Sequence, residues 1–256
     1  MTLAHDSAGS GPAVLLLHST VCDRRMWDPQ VPALTAAGYQ VVRCDLHGYG
    51  DSPVPSTSFD EAADVAGLLT GLGIARAAVI GSSGGGRVAL DVAARWPERV
   101  TALALLCTAL RGHEASPELS AFSDREDALI EAGDVDGATD LNVDLWLGPE
   151  ADEDTRDAVR AMQRHVFAVQ LAAEEEGEPV RVELDLTRIT APALLVSGAH
   201  DLPDFREIAV HLAKLLPHAR HTELDWAGHL PSLERPDLMN PLLLDFLRES
   251  QGQSQG

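Results

Sequence analysis

Gly81-Ser82-Ser83-Gly84-Gly85 is where residue type and spacing point most directly to chemistry in this 256-residue chain. The segment follows a short apolar run, Ala77–Ile80, and precedes a helical pattern, Gly84–Arg95. It therefore reads as strand, tight turn and helix, the setting in which a serine is presented as a nucleophile. Register chooses between the two serines. Ser83 has glycine two residues before and two after, whereas Ser82 would need glycine where Ile80 stands. The glycines are needed because the turn crowds strand against helix and holds the serine in a strained backbone conformation. A phosphate-binding loop is the competing reading. It lacks the Lys-Ser/Thr pair that such a loop requires, and no G-x-G-x-x-G fits this register.

A serine hydroxyl is a weak nucleophile without a base. Of ten histidines, His229 in Trp226-Ala227-Gly228-His229-Leu230-Pro231 is the candidate. It follows the strand-like His221–Asp225 and precedes the last helical pattern, which puts it on a loop at the sheet edge where ligands of open α/β sheets bind. His5, His113, His211, His218 and His221 read as surface or packing residues. No further ligands converge on the His218/His221 pair, so no metal site is expected. The third member should be a carboxylate between Ser83 and His229. Asp201, after the run Ala193–Val196 and the turn Ser197-Gly198-Ala199-His200, would accept the other ring N–H of the histidine and fix its tautomer. Asp204 is a rival that also reads as a first-turn acid of a helix over Arg206–Leu216, and Asp225 is a weaker one. An oxyanion needs two backbone N–H donors. Gly84 and Thr20, the latter in the loop His18-Ser19-Thr20-Val21, are assigned that role.

The elements that must position these residues are legible as continuous apolar runs: Ala13–Leu17, Val41–Leu46, Ala77–Ile80, Val100–Cys107 and Ala193–Val196. Such runs suit strands of a parallel sheet covered on both faces. Helical patterns alternate with them. Asp28–Ala37 ends before Gly38. Ser58–Leu72 opens with a capping box, Ser58 and Glu61. Gly84–Arg95 stops before Pro97, and a last helix takes Asn240 as cap with Pro241 at its first position. Alternation of this kind predicts an α/β fold with a mostly parallel, doubly wound sheet. Residues 110–185 interrupt it with helical stretches and no clear strand, and read as a helical insertion. No internal repeat is visible, and the tail Gln251–Gly256 is expected to fray.

Composition narrows the partners. Forty acids face 19 bases, a net charge of −21, which disfavours nucleic acid and anionic lipid. The excess is local: residues 110–190 hold 21 acids against 7 bases. No apolar run is long enough for a membrane helix, and the start MTLAHDSAGSGP has no signal-peptide pattern. Three scattered cysteines give neither a disulfide framework nor a zinc ribbon. A cytoplasmic location, no cofactor, a small-molecule substrate and a monomer or homodimer are the expectations.

Four landmarks in order resemble the α/β-hydrolase superfamily, over nearly the whole chain. They are His18-Ser19-Thr20-Val21 with Trp27, the loop Asp45-Leu46-His47-Gly48-Tyr49-Gly50-Asp51-Ser52, the elbow Gly81–Gly85, and Asp201 with His229. The resemblance implies an α/β-hydrolase core over 1–109 and 186–256, with 110–185 as a helical cap. It departs from the family pattern at Ser19, where glycine is usual, at His47, where arginine is frequent, and at a short N-terminus that leaves the family's first strand missing or reduced. Arg156, Arg160 and Arg164 are four apart and share a helix face. They read either as a clamp for a substrate carboxylate or as a solvated face paired with Asp152 and Asp157. Ser19, Val21, Trp146, Met162, Val166, Phe167 and Leu230 are the candidate pocket residues.

Together these features predict serine-dependent acyl transfer to water on a small or medium, largely neutral substrate, without metal or cofactor. Serine at 83 argues against the dehalogenases and epoxide hydrolases of the superfamily, which carry aspartate there. Carbon–carbon bond hydrolysis, enol-lactone hydrolysis, cofactor-free perhydrolysis and non-turnover ligand binding on the same fold are the alternatives.

Overall fold

Seven strands form one sheet in this computed structural model, which describes residues 3–253. They are β1 (His5–Ala8), β2 (Ala13–Leu17), β3 (Gln40–Cys44), β4 (Ala77–Ser82), β5 (Val100–Leu106), β6 (Ala193–Gly198) and β7 (Ala219–Leu224). The order across the sheet is β1-β3-β2-β4-β5-β6-β7. All neighbours run parallel except β1, which is antiparallel to β3. The helices are α1 (Gln30–Ala36), α2 (Glu61–Gly71), α3 (Gly84–Arg95), α4 (Pro117–Glu131), α5 (Val135–Trp146), α6 (Glu153–Leu171), α7 (Pro203–Leu215), α8 (Pro231–Glu234) and α9 (Pro236–Gln253). None of them is long and apolar enough to cross a membrane.

The central strands lack alternation because both faces are covered. Leu15 and Leu17 point into a core shared with α2, α3 and α7, while Val14 and Leu16 point into one shared with α1 and α9. From β2 the chain steps to β3 on one side, then crosses to β4 on the other. Strand order therefore reverses between β2 and β4. In open α/β sheets that reversal opens a crevice outside the carboxyl ends of the strands, and the loop after β2 and the turn after β4 both lie there.

The first strand is present in the reduced form, four residues long. Two boundaries differ from the sequence reading. α2 is capped by Asp60, which accepts from the Ala63 amide at 3.0 Å, and Glu61 instead pairs with Arg87. α9 begins at Pro236, so Pro241 lies inside it. Asn240 is not the cap: its side chain bonds Gln30 and the Pro29 carbonyl, tying α9 to the start of α1. Residues 254–256 of the tail lie outside the described residues.

Between β5 and β6 lie α4, α5 and α6. Residues 177–180 then run beside 55–59, joined by backbone hydrogen bonds and one isolated bridge, Phe59 to Pro179.

Candidate active site

Ser83 occupies the single position between β4 and α3, with φ +51° and ψ −117°. This region strains any residue with a side chain and persists only where the surroundings fix it. Here the Ser83 amide donates to Leu106 O at 2.9 Å and its carbonyl accepts from the Ala109 amide at 3.1 Å, which locks the turn to the end of β5. A Cβ on Gly81 would meet Gly85 O at 2.6 Å, so the elbow closes only with glycine there. Ser82 is fully buried.

Gly84 is the first residue of α3, where backbone N–H groups have no intrahelical acceptor. Thr20 lies against it: a Cβ built on Gly84 would sit 3.9 Å from the Thr20 amide nitrogen. The two assigned oxyanion donors are thus neighbours across the crevice. Ser19, beside them, is fully buried, and its hydroxyl has no hydrogen-bond partner among the described residues.

Asp201 and His229 meet at the same edge. His229 Nδ1–H donates to Asp201 Oδ2 at 2.7 Å, and both residues are buried. The other carboxylate oxygen accepts from the Leu202 amide at 2.7 Å. Since Nδ1 carries the proton, Nε2 is left as an acceptor. Asp204 is turned elsewhere: it accepts from the Ser116 amide at 2.8 Å and meets His113 at 3.0 Å. Burial pushes its carboxyl up, but the Ser116 and His113 contacts outweigh that and hold it below the ordinary range. Asp225, just beyond β7, makes no hydrogen bond to His229.

The ring of His229 is packed between two aromatics, Trp146 at 4.6 Å and Phe205 at 4.2 Å between centroids. Trp146 is itself held in place, its indole N–H donating to Asn142 Oδ1 at 2.9 Å while Asn142 bonds Glu126. Trp146, Met162, Val21 and Leu230 share one buried apolar cluster. Val166 and Phe167 are buried on α6 but outside it.

Cys107 follows β5 with φ +45° and lies fully buried, its Sγ 3.7 Å from Gly228 O. Burial pushes its thiol well up, so it stays protonated. Its sulfur and the ligand atoms of Asp201 and His229 lie within 4.8 Å of one another. Two ligands of one tetrahedral zinc stand about 3.4 Å apart. The Asp201–His229 pair is closer, at 2.7 Å, and is arranged as a hydrogen bond.

The chain matches the model of the alpha/beta hydrolase family over residues 14–242. The chain belongs to this family. It is a hydrolase, similar to carboxylesterase YbfK of Bacillus subtilis at 27% identity over 92% of this chain and 80% of that one. In structure it is similar to the enol-lactonase from Burkholderia xenovorans, with 29% identity, a TM-score of 0.78 and 96% of both chains covered. It also matches bifunctional epoxide hydrolase 2 of Sus scrofa at 24% identity over 93% of this chain, and spans 52% of that relative's length.

Two buried residues around the candidate site escaped the sequence reading. Glu234, which the sequence analysis does not single out, is 4% exposed and points back at the histidine loop. His18 reads as part of an oxyanion segment, yet its ring is a buried spacer between two loops. Only burial, which no spacing reveals, separates these from surface residues.

Proposed function

We propose that the chain is a serine hydrolase in which Ser83 attacks the carbonyl of a neutral carboxylic ester or enol-lactone. His229 Nε2 takes the Ser83 proton as the oxygen attacks. Asp201 holds the imidazole tautomer and stabilises the imidazolium that forms. The Thr20 and Gly84 N–H groups receive the negative charge that develops on the carbonyl oxygen. His229 then gives its proton to the leaving alcohol or enol, and the acyl group remains on Ser83. Water, deprotonated by the same histidine, attacks the acyl-enzyme. The acid departs and Ser83 regains its proton.

The observation that carries this reading is the 2.7 Å Asp201–His229 hydrogen bond at the sheet edge where the left-handed Ser83 stands. The carboxylesterase and enol-lactonase names of two relatives support carbonyl–oxygen cleavage over the other chemistries of the fold. Residues 110–185 act as the cap over a core of 1–109 and 186–256. Ser83 is only 5% exposed, so substrate enters by displacing part of that cap. Val21, Trp146, Met162 and Leu230 wall the site with apolar surface suited to a neutral acyl group, and Val166 and Phe167 extend it along α6.

The test is intact-mass labelling with a fluorophosphonate probe, followed by peptide mapping. A single adduct on Ser83, absent from Ser83→Ala and from His229→Ala with unchanged far-UV circular dichroism, is the expected result. An adduct elsewhere, or none on folded protein, would overturn the assignment and favour ligand binding without turnover.

A further inference from the structure

The loop that carries His229 is held by an unusual anchor. Glu234, at the end of α8, folds back so that Oε2 accepts from the Gly228 amide at 2.9 Å and Oε1 from the Leu230 amide at 3.1 Å. One carboxylate thus grips the residues on both sides of the histidine. The Gly148 amide, just past α5, also donates to it. The His229 amide donates to Trp146 O at 2.9 Å, so all three amides of the loop are fixed, two by Glu234 and one by the root of the 110–185 segment. The junction is too tight for side chains. A Cβ on Gly228 would lie 2.8 Å from Gly148 Cα, and one on Gly148 would collide with the Gly228 amide and Glu234 Oε2.

We infer that Glu234 is a positioning residue that works as a carboxylate, clamping the base loop against the 146–148 hinge and placing a second negative charge behind the His229 imidazolium. The inference rests on the serine-hydrolase reading.

The hydrogen-bond pattern argues for the ionised form. Every neighbour that meets the two oxygens is an N–H donor, so a protonated carboxyl would set its own O–H against one of them. Burial dominates and holds the Glu234 carboxyl above its ordinary range, although the three amides and the nearby His229 oppose that rise. The titratable groups facing Glu234 are His229 and the Cys107 thiol. Asp201 lies against the imidazole Nδ1 of His229. Arg235, next in sequence, turns outward to Asp237 and Glu150, so no buried cation neutralises the carboxylate from its own helix. A carboxylate gripping the histidine loop favours the imidazolium that forms as His229 takes the Ser83 proton.

The labelling rate of Ser83 by a fluorophosphonate, followed against pH, tests this without knowledge of the substrate. Wild-type protein gives the reference profile, with labelling slowed at acid pH. Glu234→Gln keeps the shape but removes the charge and one acceptor. It should label between ~10- and 100-fold more slowly at the plateau, as misplaced catalytic groups do, with its acidic limb displaced from the wild-type one. Glu234→Asp retains the charge on a shorter arm, so it should slow labelling while leaving the limb in place. An unmoved limb and an unchanged rate in Glu234→Gln would overturn the inference. Should that variant not fold, Glu234→Asp decides: slower labelling with an unmoved limb upholds it, and wild-type kinetics sink it. Failure of the wild-type protein to label at Ser83 is a separate outcome, which removes the serine-hydrolase reading and this inference together.

Discussion

His18 has its charge state written into its contacts. The Leu46 amide can only donate, so Nε2, 2.9 Å away, must accept. The proton therefore sits on Nδ1 and is given to Ser19 O at 2.8 Å. Burial lowers the pKa of the group below its ordinary 6.5. Below about pH 6.5 the unfolded chain binds a proton that the folded chain refuses, so this contribution to stability is present above that pH and is lost as pH falls toward the folded value. Urea denaturation from pH 7.5 down to 5 should show the loss, at up to about 1.4 kcal/mol per pH unit from this one group. His18→Leu should be less stable by ~1–3 kcal/mol at pH 7, because the Leu46 N–H is left unpaired while Ser19 O keeps only the Cys22 amide as donor. Its slope should also be shallower, and an equal slope would assign the pH dependence to other groups. The two aspartates after β6 separate as cleanly. Asp201→Asn should lower kcat for p-nitrophenyl acetate by about 10⁴-fold, as expected where the carboxylate fixes the base tautomer. Asp204→Asn should cost about 1–2 kcal/mol of stability and little turnover, since its partners are His113 and Ser116. The reverse order would move the acid to Asp204.

α5 and α6 are joined by a ladder of opposite charges that the sequence shows only in part. The four-residue spacing of Arg156, Arg160 and Arg164 is legible, and so is the Arg160–Asp157 pair named by the solvated-face reading. The partners are a surprise. They are Asp144, Asp140 and Asp136 on the antiparallel helix, with Asp157 an additional one for Arg160. Asp152 instead caps α6 by accepting from the Thr155 amide at 2.8 Å. Helical periodicity fixes which residues share a face, but the neighbouring face depends on tertiary packing. Exposed pairs contribute little each. Replacing all three arginines by glutamine should lower stability by about 1 kcal/mol and leave KM for a carboxylate-bearing ester unchanged. A marked rise in that KM would restore the clamp. The same division holds elsewhere. The central strands and the Ser83 elbow were readable because burial on both faces and glycine spacing are local signals. β1 and the true start of α9 were not, because a four-residue edge strand and the Asn240 link to α1 exist only through distant partners. The contact of Glu234 with residues 148, 228 and 230 was hidden for the same reason.

Across the whole molecule the field is negative: the net charge is −21, concentrated in the segment between β5 and β6. An anionic ester should therefore be a poorer substrate than its neutral isostere, mainly through KM and association. The difference should shrink as NaCl is raised from about 0.01 to 0.5 M and the screening length falls below 10 Å. A ratio of kcat/KM independent of salt would mean that the pocket walls, not the surface field, set the preference. The bond from His229 N to Trp146 O has a consequence for protein engineering. The helical segment and the core are not interchangeable parts, because the last carbonyl of α5 is also one of the supports of the base loop. A chimera that imports a foreign segment across residues 110–185 would discard that support together with the glycine at 148. One spliced so that 146–148 and the Glu126–Asn142 pair stay native could vary the rest of α4 and α6, offering new pockets to an unaltered reaction centre.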